Sequence, residues 1–258
     1  MKTIFKLLVL FGAVEAFSQS NSSDLQLNKA ENHPIQYYLS IPKNWNRNRQ
    51  WPMVVILEAA DKEYKKNAER FINARGDMPF ILIAPFNTNN GNQGRRDPNT
   101  FPYSIETWDY IDKVGDCQFN EEGLQQIIKE VSAKYNGEQK IYLTGFEAGT
   151  HVLWSTVFNH PEWLKAAASV AGNFRNRCVE PGKISKDPSG KNLPIKSFVG
   201  DKDEYFRPSG KIYNQWTEVK SIASTNGFEN VSETIISNKD HVPMPEEVMN
   251  YFYSLLQK

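Results

Sequence analysis

The stretch Leu143-Thr144-Gly145-Phe146-Glu147-Ala148-Gly149 decides how the chain folds. The run Lys140-Ile141-Tyr142-Leu143-Thr144 before it is short, apolar and β-favouring. Such a run fits a strand buried on both faces. After it, Thr150 to Phe158 carries bulky apolar side chains and is predicted to be a helix. Gly145 and Gly149 bracket the junction, so the strand turns sharply into the helix with Glu147 at its apex. Glycine suits such a bend, where backbone segments approach too closely for a side chain.

Working outward, the same alternation recurs. Ile35 to Ile41, Pro52 to Leu57, Phe80 to Ala84, Ala166 to Ala171, Ile195 to Val199 and Val231 to Ile236 are predicted strands. Between them lie helical patterns: Asp61 followed by Tyr64, Ala68, Phe71 and Ile72; Asn120 followed by Leu124, Ile127, Ile128 and Val131; Ile212, Trp216, Val219 and Ile222; and Glu246 to Leu256. Alternating strands and helices imply a mostly parallel sheet covered on both faces. Arg75-Gly76-Asp77 is a helix-ending turn. Residues 87–118 are rich in Gly, Pro and Asn and are predicted to form one long irregular segment. Long loops of this kind are often functional. Arg95, Tyr103 and Trp108 are therefore candidate ligand-binding residues.

The chain has 258 residues, of which 40% are hydrophobic, and equal numbers of acidic and basic side chains. That is enough apolar content for a core. The zero net charge gives no support to a nucleic-acid partner. Residues 1–20 resemble a signal peptide: Lys2 and Lys6 precede an apolar run from Leu7 to Val14, with small residues at Ala16, Ser18 and Ser20. The run is too short to span a bilayer. The expectation is a secreted or periplasmic protein, with one domain over residues 21–258. In that setting the pair Cys117 and Cys178 favours a disulfide over two buried thiols, and closing so long a loop contributes roughly 4 kcal/mol. The four histidines are scattered, and no metal or other cofactor is expected. His151 is expected to pack in its helix.

The strand, the Gly-x-x-x-Gly bend and the following helix have the context of a nucleophile elbow. With Tyr142-Leu143-Thr144-Gly145-Phe146 and Ala148-Gly149, the chain resembles the α/β-hydrolase superfamily. The likeness is to secreted esterases of the polyhydroxybutyrate-depolymerase-like and feruloyl-esterase-like group, and it runs from about Pro52 to the C-terminus. It implies an acid and a histidine later in the chain. Asp203, in Gly200-Asp201-Lys202-Asp203, fits the acid better than Asp201, and His241 is the only histidine beyond it. It also implies an oxyanion hole built from the amides of Ala148 and of Ala59 or Ala60.

Two positions depart from the resembled pattern. Glu147 stands where serine is expected, and Glu58-Ala59-Ala60 stands where many members have His-Gly. A carboxylate has no proton for histidine to remove and fills the space of an acyl carbonyl. On this fold, carboxylate nucleophiles are aspartates, as in haloalkane dehalogenases and epoxide hydrolases. The extra methylene of glutamate displaces the attacking oxygen by on the order of 1 Å. Glu58 or Glu147 paired with His241 would lock the site. Ordinary serine-esterase activity is therefore expected to be weak or absent. Two readings remain: a hydrolase with altered chemistry, and a non-catalytic protein that binds a small or polymeric ester or carbohydrate ligand.

Overall fold

The computed structural model describes residues 25–208 and 210–258. The signal-peptide reading of residues 1–20 lies outside the described residues. Eight strands form one sheet in the order β1-β2-β4-β3-β5-β6-β7-β8. They are β1 (Gln26–Lys29), β2 (Gln36–Ser40), β3 (Met53–Leu57), β4 (Ile81–Pro85), β5 (Ile141–Phe146), β6 (Leu164–Val170), β7 (Ile195–Gly200) and β8 (Val231–Ile236). The β1–β2 and β2–β4 pairings at one edge are antiparallel, and β3 to β8 run parallel to one another.

The two-residue period of a strand sends alternate side chains to opposite faces. In β3, Met53, Val55 and Leu57 enter one apolar cluster, and Val54 and Ile56 the other. The first cluster is covered by α2 (Ile105–Val114), α3 (Asp116–Tyr135), α4 (Thr150–Asn159) and α5 (Lys211–Thr225). The second is covered by α1 (Tyr64–Arg75) and α6 (Pro245–Leu256). α1 ends at Gly76, whose φ of 51° belongs to the left-handed region that glycine enters without penalty. Among the described residues no helix is long and apolar enough to cross a membrane.

The segment at residues 87–118 differs from expectation. It contains α2, capped by Ser104, whose Oγ accepts the Thr107 N–H at 3.3 Å. α3 begins at Asp116, before Asn120. The apolar face of α2 is short, only Trp108 and Ile111, and charged neighbours hide it in the sequence. Cys117 in α3 is disulfide-bonded to Cys178, which ties the excursion between β6 and β7 to the helical layer.

Candidate functional site

β3 has β4 on one side and β5 on the other, so the chain reverses its direction of travel across the sheet there. The loops after β3 and β5 diverge at this point and leave a crevice at the carboxyl ends of the strands, where open α/β sheets bind ligands. The bend after β5 places Glu147 at the head of a short 3-10 turn leading into α4. A Cβ on Gly149 would lie 2.5 Å from the Leu57 carbonyl oxygen and 2.7 Å from that of Glu58. Only glycine lets the turn press this closely on the end of β3. Glu147 itself has φ 46°, a left-handed conformation that is unfavourable for a residue with a side chain. Its carbonyl accepts the Asn173 N–H at 3.1 Å, which holds the bend from above.

The Glu147 carboxylate turns toward the loop after β3 and accepts the Ala60 N–H at 3.2 Å. The neighbouring Ala59 N–H donates to Glu58 Oε1 at 2.9 Å. Both amides of this loop are thus taken by carboxyl oxygens of the protein. Two asparagines after β4 fix the loop. Asn87 Oδ1 accepts the Glu58 N–H at 3.2 Å, and Asn90 Nδ2 donates to the carbonyl of Ala59 at 2.9 Å. Glu58 is 3% exposed. Burial pushes its carboxyl up to about 8, reinforced by Asp61 and opposed by hydrogen bonds from the Ala59 amide and Asn67. Lys62 is half-buried and donates to the Ala60 carbonyl at 3.2 Å. Its burial lowers the ammonium pKa, against the pull of Asp61, Glu147 and Glu58. Ala148 is buried in the turn just behind Glu147.

The loops after β7 and β8 form the opposite wall. A Cβ on Gly200 would collide with the Lys239 carbonyl, so the two loops meet at contact distance. The Lys202 N–H also donates to that carbonyl at 2.9 Å. Asp203 then has both oxygens engaged: Oδ1 accepts the Tyr205 N–H at 2.9 Å, and Oδ2 lies 2.9 Å from His241 Nδ1. Its side chain is fully buried. Asp201 is exposed and takes no part. The imidazole sits between two rings, Phe146 with centroids 5.2 Å apart and Tyr205 at 5.0 Å.

The two walls enclose a cavity of about 490 Å³ that includes Glu147, His241 and Ala59. Asp61, Asn173, Tyr205 and Lys211 also line it. Sequence reasoning missed these four. Their signal was positional, since each lies just beyond the carboxyl end of a strand or opens the helix that follows one. The feared lock is absent: among the described residues His241 pairs with Asp203, and no ion pair joins it to Glu147 or Glu58.

Arg95, Tyr103 and Trp108 do not line this cavity. Tyr103 and Trp108 are 7% and 2% exposed and pack with Phe101 and Phe119 in the main core. The Tyr103 hydroxyl donates to the Phe86 carbonyl at 2.9 Å. Arg95 bonds Asp112 at 2.7 Å and Asp116 at 2.9 Å, with its guanidinium over Trp108. Once α2 forms, its apolar face turns inward and carries Trp108 with it, and Tyr103, just ahead of the Ser104 cap, packs against that ring. His151 is buried in α4, and burial lowers its imidazole to about 4, helped by Arg177 and Arg175. Among the described residues no cluster of His, Cys, Asp or Glu is placed to hold a metal ion.

The sheet order, the helix layers and the bend after β5 define the α/β-hydrolase fold. Solved structures agree. A thermostable esterase is 21% identical with a TM-score of 0.54, over 90% of this chain. This chain spans only 62% of that esterase's length. Poly(aspartic acid) hydrolase-1 from Sphingomonas sp. KT-1 is 9% identical with a TM-score of 0.60, over 91% of this chain and 98% of its own. A poly(3-hydroxybutyrate) depolymerase from Bordetella parapertussis is 14% identical with a TM-score of 0.56, over 90% of this chain and 89% of its own. No family model matches the sequence, and no curated protein matches it.

Proposed function

We propose that this chain is a ligand-binding protein built on an esterase-type hydrolase scaffold, in which Glu147 occupies the place of the serine nucleophile and blocks acyl transfer. The hydrogen bond from the Ala60 amide to Glu147 Oε2 carries this reading. An oxyanion hole works only when its N–H groups are free to meet developing charge. Here that amide already faces a carboxylate. A second negative charge forming 4 Å away would be repelled by about 4 kcal/mol at an effective dielectric constant near 20, roughly a thousandfold in rate. With Ala59 held by Glu58, the loop offers no spare donor from either residue. Residues 1–20 act as an export signal in this reading, and the Cys117–Cys178 bond suits an oxidising compartment.

A second reading draws support from the Asp203–His241 pair, which is assembled as a base and its orienting acid. Glu147 would attack carbon and expel the leaving group. His241 would then deprotonate a water that hydrolyses the resulting glutamyl ester.

A panel of short- and long-chain acyl esters and alkyl halides in oxygen-18 water separates the two. The binding reading expects no turnover above the buffer blank. Turnover with label entering Glu147, located by peptide mass analysis, would establish the covalent route instead.

A further inference from the structure

The cavity carries charges of both signs that do not meet. Glu147 lines it from the bend after β5. One of its carboxylate oxygens accepts the Ala60 N–H, and the other, Oε1, has no donor among the described residues. Asp61 lines it from the loop after β3. Lys62 is drawn to both carboxylates, yet it donates to the Ala60 carbonyl and is not part of the lining. Lys211 lines the cavity from the first residue of α5 and is exposed. Among the described residues no hydrogen bond or ion pair joins Lys211 to Glu147, Asp61 or any other carboxylate. A cation at a helix N-terminus opposes the helix dipole. The first turn of α5 holds no acidic residue to offset it, and its N-cap, Gly210, has no side chain to satisfy the free amides. Helix stability alone does not favour a lysine there, and an incoming anion would relieve it.

Opposite charges that line one cavity without pairing can be bridged by a ligand. A polyanion would bring like charge to Glu147 and Asp61 and be repelled. A plain amine would leave Lys211 unanswered, and a neutral ester would engage neither sign. A zwitterion answers both, and each charge-assisted hydrogen bond is stronger than a neutral one. Ala59, Phe146, Ile212 and the Tyr205 ring add apolar surface to the lining, which suits an apolar side chain on the ligand. The volume of about 490 Å³ falls in the range of small-molecule sites.

We propose that the cavity binds a zwitterion with an apolar side chain, an amino acid or short peptide with both ends free, whose ammonium meets Glu147 and whose carboxylate meets Lys211. This rests on the binding reading only in treating the cavity as a ligand site, and it does not require Glu147 to block acyl transfer.

Isothermal titration calorimetry of the whole protein with L-phenylalanine and with the dipeptide alanyl-phenylalanine tests it. At least one of the two should bind. For that compound, acetylating the amine or amidating the carboxylate should weaken binding about tenfold each, and blocking both ends about a hundredfold. Lys211→Met should weaken binding of the free compound about tenfold and cost nothing further on its amide, which has no carboxylate to lose. Glu147→Gln keeps an acceptor for the Ala60 amide. It should weaken the free compound by a similar factor and cost nothing further on the acetylated form. Lys129→Met, which removes an exposed lysine on α3, should leave binding unchanged. No binding of either free compound overturns the proposal. So does equal binding of free and blocked forms, or, in either cavity variant, an equal loss on both forms or no loss at all. The ester panel is scored separately. Ester turnover with zwitterion binding intact would sink the binding reading and keep this site. A protein inert to esters that ignores both zwitterions would do the reverse.

Discussion

The two walls of the cavity were built by opposite rules. On the β7–β8 side, both carboxyl oxygens of Asp203 are bonded, and His241 lines the cavity. On the β3–β5 side, the groups that should stay open are filled. Glu58 takes the Ala59 amide, and Glu147 takes the Ala60 amide. On the proposed reading, one wall holds a base and its orienting acid, while on the other the Ala59 and Ala60 amides are already bonded to carboxyl oxygens. The proposed function follows from this contrast: an ordered Asp203–His241 pair beside amides that are already occupied.

The crowded wall should be the more sensitive one. Gly149→Ala forces a methyl against two backbone carbonyls and is expected to lose about 3 kcal/mol in urea denaturation. Gly182, whose Cβ would meet open space, should tolerate alanine within about 0.5 kcal/mol. Equal losses at the two sites would erase the contrast.

Glu58→Gln probes the same wall by pH. The folded-state carboxyl lies at about 8 against an ordinary value of 4.5. Its neutral form is favoured in the fold, so the contribution is fully present below pH 4.5. It is lost as pH rises toward 8, where the unfolded chain is already ionised. The parent should lose a few kcal/mol, on the order of 3, across that window, and the glutamine variant should lose less. Parallel stability curves for the two proteins would mean that Glu58 is ionised and solvated in the fold.

The dyad wall should show a smaller effect. Asp203→Ala leaves the Tyr205 amide and His241 Nδ1 without their acceptor and is expected to cost about 1–2 kcal/mol in thermal unfolding. Asp201→Ala should fall within about 0.5 kcal/mol. The reverse order would exchange their roles.

Much of this was legible in the sequence because the decisive signals were local. Gly145, Gly149 and the strand before them fix the bend within seven residues, and His241 is the only histidine after Asp203. The choice of Asp203 over Asp201 is also a local matter, since two residues of loop decide which carboxylate turns inward. Trp108 and Tyr103 misled for the opposite reason. Their neighbours are polar and turn-forming, and only tertiary packing with Phe101 and Phe119 buries them. β1 escaped notice because its residues are mostly exposed and it is held by pairing with β2 rather than by an apolar pattern. Glu58 was visible as an anomaly, but its partner was not. Proximity suggested His241, and desolvation directed its oxygen to the adjacent Ala59 amide instead.

The filled oxyanion side is the central claim, and Glu147→Ser tests it most directly. The serine puts a hydroxyl at the head of the bend, in the cavity that His241 also lines, and releases the Ala60 amide. Assayed on short acyl p-nitrophenyl esters beside the parent, the variant should gain on the order of a hundredfold over a parent indistinguishable from buffer. An active parent, abolished by both Glu147→Ser and Glu147→Ala, would contradict the claim and make the glutamate the nucleophile.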